Sequence, residues 1–292
     1  MRETAVSFTS TSEPTATYPA TPQPTHTALP TVTTTPTVTP TPCQETGRIE
    51  KGVFPSVIAG EMNYRVYLPP CYGQDGRTYP ALYVFGGNTH TDSGWDDYGL
   101  DEAAEVGIQA QIYPPFIIVM PDNGYYANNT SGGPTSYEGI IINDLIPFIE
   151  QTYCAWAEPA GRALGGVSRG GYWSLEIAFR HPEKFVSVGG HSAALIDRAD
   201  RQDANPQYTG INNDLGDLRI YMDIGADDWL LPNYLRLHED MVAKDPPVFH
   251  QWVLNEGIHE DAYWISHLDE YLSWYVVPWS FNRSEYPLCT QN

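Results

Sequence analysis

From about residue 47 onward, short apolar runs alternate with stretches whose apolar residues recur at helical spacing. The first run, residues 62–68, has period two, and most later runs are continuously apolar and end at turn residues. Continuous runs of this kind are typical of strands buried on both faces of a parallel sheet. The runs predict strands over residues 62–68, 79–85, 116–120, 163–167, 185–188, 218–224 and 249–254.

Helical patterns lie between these runs. Apolar residues form one stripe from Ile141 to Ile149, in which Pro147 should interrupt or kink the helix. Further helices are predicted over residues 171–178, 233–244 and 262–276. The alternation predicts an α/β fold with an open, mostly parallel central sheet and helices on both faces. Such sheets bind ligands at the carboxyl ends of their strands.

Residues 1–46 have a different composition, dominated by threonine and proline. A segment with so few large apolar residues cannot bury enough surface to offset the entropy cost of ordering its backbone. We predict a disordered Thr/Pro-rich linker over residues 1–46, an extended stalk of the kind that carries O-linked sugars. One domain is predicted over residues 47–292.

The chain of 292 residues has a formal net charge of −21. Nucleic acid and anionic membrane surfaces are not expected as partners, because both require clustered lysine and arginine. No apolar run is long enough to span a bilayer, and the N-terminus lacks the apolar core of a signal peptide. The stalk nevertheless favours a secreted or surface-tethered protein, and the oligomeric state is left open.

Four cysteines, Cys43, Cys71, Cys154 and Cys289, allow three pairings. We favour Cys43–Cys289, since these residues flank the folded part and domain termini often lie close together. Cys71–Cys154 is then the second pair, and four free thiols are the alternative. Neither C-x-x-C nor H-x-x-x-H spacing occurs, so we expect no metal and no cofactor.

The pattern Gly-x-Ser-x-Gly occurs at residues 166–170, between a predicted strand and a predicted helix. A tight turn at this place holds the Ser168 hydroxyl clear of the backbone, where a substrate can reach it. Gly166 and Gly170 are needed because larger residues would collide as the strand and the helix pack together. The pattern alone is weak, and its position between strand and helix makes it informative.

A serine hydroxyl is a poor nucleophile at neutral pH unless a base accepts its proton and a carboxylate orients that base. His259, directly after the last predicted strand, is the preferred base, and an exposed loop histidine is the alternative interpretation. His90 lies in the loop after the first glycine turn and could line a pocket. Asp228 is the preferred acid over Asp227, and the other of the two is expected to serve a turn or a helix cap.

A tetrahedral intermediate at this site would carry an oxyanion, which two backbone N–H groups should stabilise. We assign one donor to Arg169, the residue after the serine. The other is assigned to Gly87 in the loop after the early strand, with Asn88 as the next choice. A simple tight turn is the other interpretation of Gly86-Gly87.

Several short motifs occur in the order found in a known serine esterase family. They are Tyr67-Leu68-Pro69-Pro70, Gly86-Gly87 followed by Trp95, Ser136-Tyr137-Glu138, Asn143 to Ile149, Gly165 to Gly171, Gly225-Ala226-Asp227-Asp228 and Gly257 to Trp264. The chain resembles the serine esterases that include feruloyl esterases, esterase D-type enzymes and mycolyltransferases. This resemblance implies an α/β-hydrolase fold and places the acid at the last aspartate of its block, Asp228.

Two residues depart from the pattern of that family. Phe85 stands where the family often has histidine, and Arg169 stands where it often has methionine. Backbone donors survive both changes. We expect a pocket that is more apolar on one side and carries a cation on the other.

The resemblance implies a serine carboxylic-ester hydrolase that forms an acyl-enzyme. The stalk suggests a plant-polysaccharide ester, feruloyl or acetyl, as substrate, and an acyltransferase or a non-catalytic carbohydrate-binding relative are the alternatives. Trp95 and Trp264 are expected to line the cleft together with Asn88. Glu138 should either bind a polar substrate or cap the next helix, and residues 125–133 form either a lid or a surface loop.

Overall fold

The structure is a computed structural model that describes residues 45–195 and 202–290. The predicted linker over residues 1–46 lies almost wholly outside the described residues. Strands β1 to β8 cover Arg48–Ser56, Gly60–Leu68, Ala81–Phe85, Ile117–Pro121, Arg162–Gly166, Ser187–His191, Arg219–Gly225 and Gln251–Asn255. Helices α1 to α10 cover Gly94–Asp97, Leu100–Gln109, Gly124–Asn129, Tyr137–Gly139, Ile146–Thr152, Arg169–Arg180, Pro206–Asn212, Leu231–Ala243, Asp261–Ser266 and Leu268–Tyr275.

All eight strands form one sheet in the order β1-β2-β4-β3-β5-β6-β7-β8. β1 and β2 are antiparallel to their neighbours, whereas β3 to β8 run parallel to one another. The carboxyl ends of the parallel strands therefore meet along one edge of the sheet. This arrangement confirms the predicted α/β fold with a mostly parallel sheet.

Helices cover both faces of the sheet, as predicted. In β3, Tyr83 and Phe85 pack into the core cluster that contains α6 and α8 residues, whereas Leu82 and Val84 pack into the cluster that contains α2 and α10 residues. Successive side chains of a strand point to opposite faces, so a strand between two helical layers must be apolar throughout. This requirement explains the continuous apolar runs.

Several elements differ from the sequence-based expectations, and β3 and β8, for example, each begin two residues later than predicted. β1 was not predicted, because it is an edge strand whose alternate residues are exposed and which contains Pro55. β6 lies two residues later than predicted, at Ser187–His191. The helix expected over residues 262–276 is broken into α9 and α10 at His267.

The predicted interruption at Pro147 is accommodated by a wide helical turn. Residues 140–145 form a π-helix, and α5 begins directly after it with Pro147 in its first turn. Proline has no N–H to donate and its ring collides with the carbonyl four residues earlier in a regular α-helix. The wider turn removes this conflict and keeps Ile141 and Ile149 in the core.

Cys154 and Cys289 form a disulfide. Both predicted pairings, Cys43–Cys289 and Cys71–Cys154, are therefore wrong. Cys71 is also disulfide-bonded, and Cys43 lies outside the described residues.

The C-terminal segment explains this pairing. It runs back along the residues before β3, where the Thr78 N–H donates to the Pro287 carbonyl at 2.9 Å. The next residue, Tyr79, donates its N–H to the Cys154 carbonyl at 2.7 Å. Residues 78–79 thus bring Cys289 to Cys154, a long-range pairing that no local sequence pattern reveals.

Two buried carboxyl groups share Arg180 as a partner, Glu138 in α4 and Glu176 in α6. Glu138 accepts hydrogen bonds from Arg180 Nη1 at 2.9 Å, from His181 Nε2 at 2.7 Å and from the Gly133 N–H. Burial alone would raise the pKa of Glu138, but these partners outweigh burial and lower that pKa. Glu176 is fully buried, and its Oε2 has no hydrogen-bond partner within the described part of the chain. Burial and the nearby Glu138 raise the pKa of Glu176 well above its ordinary value.

We predict that Glu176→Gln stabilises the protein above the ordinary pKa of glutamate. The unfolded chain ionises there while the folded chain retains the proton, so the wild type loses stability as pH rises toward the pKa of folded Glu176. The gain should therefore be near zero at pH 4 and grow by up to about 1.4 kcal/mol per pH unit. Thermal unfolding from pH 4 to 8 measures this gain.

Glu138→Gln is the matched control and should destabilise the protein at pH 7, because it weakens the pairing of Arg180. An equal gain at every pH would contradict the prediction.

Replacing the disulfide by Cys154→Ala with Cys289→Ala should lower the free energy of unfolding by about 2 to 4 kcal/mol, because the unfolded chain is released from a long closed loop. Thermal unfolding of the double variant under non-reducing conditions measures this loss. A non-reducing digest of the wild type should yield a peptide that joins Cys154 to Cys289. A peptide that joins Cys71 to Cys154 would contradict the assignment.

Candidate active site

The turn between β5 and α6 holds Ser168 in an uncommon backbone conformation, with φ 76° and ψ −106°. Non-glycine residues adopt positive φ only when the surrounding structure enforces it. A Cβ atom on Gly166 would collide with the Gly170 backbone, and one on Gly170 would collide with the Phe85 carbonyl. The prediction that larger residues at positions 166 and 170 would collide with neighbouring backbone is thus confirmed.

The structure brings the three predicted side chains together. Ser168 Oγ lies 2.8 Å from His259 Nε2, and His259 Nδ1 lies 2.8 Å from Asp228 Oδ2. Because a carboxylate only accepts, His259 must donate from Nδ1, which leaves Nε2 to accept the Ser168 proton. Asp228 is buried and also accepts from the Leu230 N–H at 2.9 Å, whereas Asp227 is exposed.

The loops that carry the acid and the base are bonded to each other. After β7, the Ala226 N–H donates to the Asn255 carbonyl at 2.7 Å, and the Asp227 N–H donates to the Gly257 carbonyl at 3.0 Å. β7 and β8 are adjacent parallel strands, so the loops that follow them leave the sheet side by side. This pairing fixes the distance between Asp228 and the histidine loop.

Two indole rings flank the His259 imidazole. Trp264 is buried, and its ring centre lies 5.0 Å from the imidazole in a perpendicular arrangement. It supports the imidazole from the protein interior, so its expected place in the lining of an open cleft is corrected. Trp229 was not predicted as a site residue. Its side chain is 66% exposed and its ring centre lies 5.5 Å from the imidazole, which makes it a candidate substrate contact. Its position next to Asp228 is the sequence signal that could have identified it.

The first choice for the second oxyanion donor is not supported. The Gly87 N–H donates to His90 Nδ1 at 3.0 Å, so it is directed at that imidazole. Asn88 is exposed at the tip of the same loop, and no residue in the described ranges accepts from its N–H. The alternative donor, Asn88, stays a prediction that these contacts favour. Arg169 is the first residue of α6, and its role as the other donor stays a prediction.

The Arg169 side chain does not supply the expected cation to the pocket. Its guanidinium donates to the Ala127 carbonyl at 2.6 Å and to the Thr130 carbonyl, and it stacks over Tyr172 at 4.5 Å. Tyr172 also donates its hydroxyl to the Ser131 carbonyl at 2.8 Å. Several hydrogen bonds thus attach residues 127–131 to α6. Neither the lid nor the surface-loop interpretation of residues 125–133 predicted this attachment.

Three other expected positions are corrected by burial. Phe85 is fully buried, and its ring contacts Tyr137 rather than a pocket. Trp95 is buried, with its Nε1–H donated to the Phe85 carbonyl at 3.0 Å, so it supports the loop after β3 from below. The carboxylate of Glu138 is bound to Arg180 and His181, which leaves no free oxygen for a polar substrate.

A second histidine–carboxylate pair lies beneath the serine turn. His191 Nδ1 is 2.6 Å from Asp223 Oδ1, and Asp223 Oδ2 accepts from the hydroxyls of Tyr263 and Tyr271 at 2.9 Å each. The Tyr275 hydroxyl lies 3.0 Å from His191 Nε2. All five residues are buried, so no substrate can reach this pair. Asp223 lies within β7, whereas Asp228 follows the end of that strand.

Within residues 45–195 and 202–290, no group of three or more histidine, cysteine or acidic side chains is arranged to hold a metal ion. The same residues contain no helix that is long and apolar enough to cross a membrane. A cavity of about 930 Å³ lies away from Ser168, at the amino ends of β7 and β8, where Arg219, Phe249 and Trp274 line it.

Known proteins are similar to this chain in sequence and in fold. An esterase from Mycobacterium tuberculosis, Esterase Rv1288, is 38% identical over 152 residues, which are 50% of this chain and 32% of that relative. This chain therefore spans about a third of the length of that curated relative. An endo-1,4-beta-xylanase/feruloyl esterase from Xylanibacter ruminicola is 29% identical over 149 residues, 48% of this chain and 20% of that protein.

Solved structures of low sequence identity share the fold. A ferulic acid esterase superposes with a TM-score of 0.72 at 22% identity, covering 81% of this chain and 100% of the other. The S-formylglutathione hydrolase FrmB from Staphylococcus aureus superposes with a TM-score of 0.65 at 18% identity, covering 80% and 97%. Both superpositions span about four fifths of this chain and agree with the α/β fold described above.

The sequence profile of the esterase family matches residues 56–275, a range that contains Ser168, Asp228 and His259. The match covers well over half of the chain. The chain therefore belongs to the esterase family, as its order of motifs suggested.

Proposed function

We propose that this chain is a serine carboxylic-ester hydrolase that works through an acyl-enzyme. The observation that carries the proposal is the continuous hydrogen-bonded series from Ser168 through His259 to the buried Asp228. Membership of the esterase family supports the same reaction class. No cofactor is required for this chemistry, since the nucleophile, base and acid are all side chains.

In the proposed reaction, Ser168 Oγ attacks the ester carbonyl while His259 Nε2 accepts its proton. The tetrahedral intermediate carries an oxyanion, which the Arg169 N–H and the Asn88 N–H stabilise. His259 then protonates the leaving alcohol, and an acyl group remains on Ser168. A water molecule, deprotonated by His259, attacks this acyl group and releases the acid. Asp228 holds the imidazole in the tautomer that both half-reactions need.

We further propose that the substrate is a sugar ester, feruloyl or acetyl, of a plant polysaccharide. Two named similarities support this class, the feruloyl esterase from Xylanibacter ruminicola and the ferulic acid esterase structure. The exposed indole of Trp229 beside His259 offers a flat surface on which a phenolic acid or a sugar ring can stack.

The proposed place of action is outside the cytoplasm. The disulfide between Cys154 and Cys289 and the disulfide-bonded state of Cys71 favour an oxidising compartment. The Thr/Pro-rich composition of residues 1–46 is suited to a spacer between this domain and another surface.

Ser168→Ala should lower the kcat of hydrolysis of short-chain nitrophenyl esters by at least about 10,000-fold, because it removes the nucleophile. His259→Ala should have a similar effect, and Asp228→Asn should cost about 10,000-fold by disturbing the imidazole tautomer. Steady-state kinetics measure these losses, and a fluorophosphonate probe should label the wild type on the peptide that contains Ser168.

Asp227→Asn is the matched control for the acid, since Asp227 is the exposed neighbour of Asp228. It should retain nearly full activity. Equal losses for the two aspartate variants, or persistent hydrolysis by Ser168→Ala in a folded sample, would refute the assigned site.

Trp229→Ala should raise the KM for a feruloylated sugar by about 3- to 10-fold, because one aromatic contact is lost. The KM for an acetylated sugar should change less than about twofold, since an acetyl group has no ring to stack. Phe249→Ala is the control, because Phe249 is 94% exposed but lies at the opposite ends of the strands. Equal KM changes for both substrates would show that Trp229 does not recognise the aromatic acyl group.

A further inference from the structure

The loop after β3 is closed by one histidine side chain. The His90 N–H donates to the Gly87 carbonyl at 3.1 Å, and the Gly87 N–H donates back to His90 Nδ1 at 3.0 Å. Gly86 and Gly94 make room for the imidazole, because a Cβ on either residue would collide with His90. A Cβ on Gly87 would lie 3.8 Å from the Ser168 Cβ, so this loop borders the serine.

The hydrogen bonds of His90 require a neutral imidazole with one tautomer. A backbone N–H can only donate, so Nδ1 must be the unprotonated acceptor and the proton must be on Nε2. Nε2 lies 3.1 Å from the Tyr98 hydroxyl, which in turn donates to Asp261 Oδ1 at 2.7 Å. Each group in this series thus donates to the next without conflict.

This series joins the two loops that border the serine. Gly87 belongs to the loop after β3, whereas Asp261 begins α9, two residues after His259. Asn123 holds the first loop from the other side, since its Nδ2 donates to the carbonyls of Gly86 at 2.5 Å and Gly87 at 2.7 Å. Side-chain hydrogen bonds therefore fix the orientation of the Gly86 carbonyl and of both the N–H and the carbonyl of Gly87.

We propose that His90 is a positioning residue for the oxyanion site. Its neutral imidazole accepts the hydrogen bond of the Gly87 N–H, which leaves the Asn88 N–H as the second oxyanion donor. Tyr98 and Asp261 hold the imidazole in a fixed position relative to the His259 loop. The proposal rests on the proposed esterase function and deepens it. His90 touches neither the substrate nor the reacting atoms.

Protonation of His90 would disrupt this arrangement. A protonated Nδ1 cannot accept from the Gly87 N–H, so two donors would face each other and the turn would open. Burial lowers the pKa of His90, and the carboxylates of Asp261 and Asp97 oppose that shift. The neutral, active form is therefore present above this lowered pKa and is lost as pH falls through it.

Three substitutions separate the two hydrogen bonds of His90. An asparagine amide reaches the place of Nδ1 and can accept from the Gly87 N–H, a glutamine amide reaches the place of Nε2, and leucine offers neither contact. We expect His90→Leu to lower kcat by about 10- to 100-fold with KM nearly unchanged, because an oxyanion donor acts mainly in the transition state. His90→Asn should retain most of kcat, and His90→Gln should resemble His90→Leu.

Two further readouts distinguish positioning from a general structural role. The affinity for a boronic acid that forms a tetrahedral adduct with Ser168 should fall in parallel with kcat across the three variants. The acid limb of the kcat–pH profile should be steeper in the wild type than in His90→Asn, because the amide does not titrate. If His90→Leu does not fold, the kcat of His90→Asn is compared with that of His90→Gln instead. Tyr98→Phe should lower kcat less than His90→Gln does.

Three results would overturn the proposal: unchanged kcat in His90→Leu or in His90→Gln, an effect confined to KM, or boronic acid affinities that do not follow kcat. An active wild type would still uphold the esterase function. A wild type that neither hydrolyses esters nor reacts with a fluorophosphonate would overturn both. The two failures are therefore distinguishable.

Discussion

The backbone conformation of Ser168 is the constraint on which the site depends. Its positive φ places the hydroxyl above the sheet, and hydrogen bonds from neighbouring elements enforce it. The Ser168 N–H donates to the His191 carbonyl at 2.9 Å, the Val167 N–H to the Phe85 carbonyl at 3.2 Å, and the Ala194 N–H to the Ser168 carbonyl at 2.8 Å. The ends of β3, β5 and β6 must therefore all be in place before Ser168 can meet His259.

Two histidine–carboxylate pairs lie near this edge of the sheet, and they differ in the exposure of the imidazole. His259 is partly exposed beside the exposed indole of Trp229, whereas His191 and Asp223 are enclosed by tyrosine hydroxyls. The buried pair lies within β6 and β7, and the His191 carbonyl accepts from the Ser168 N–H in the serine turn. The buried His191–Asp223 pair thus helps to hold the geometry of the serine site. Because every oxygen of Asp223 is bonded, this support costs little in unsatisfied groups.

Most of the fold and the central part of the site were predictable because their signals are local. Buried parallel strands must be apolar throughout, and the serine turn admits only glycine at two positions, so both leave a trace in the sequence. The failures concern contacts that no sequence pattern specifies. His90 is only three residues from Gly87, yet no motif shows that its imidazole accepts from the Gly87 N–H. Cys154 and Cys289 are far apart in sequence, and nothing near either residue shows that they meet. Trp95 was misplaced for the same reason, since burial of a tryptophan depends on what packs over it.

The π-helical turn at residues 140–145 has a consequence for how this sequence can vary in length. A π-turn contains one residue more than an α-turn, so deleting a residue there would restore regular α-helical geometry while Ile149 and Cys154 keep their places. In that geometry, however, the Pro147 ring would collide with the carbonyl four residues earlier. Proline at residue 147 therefore excludes a one-residue deletion from this short stretch, although the stretch carries none of the reacting groups.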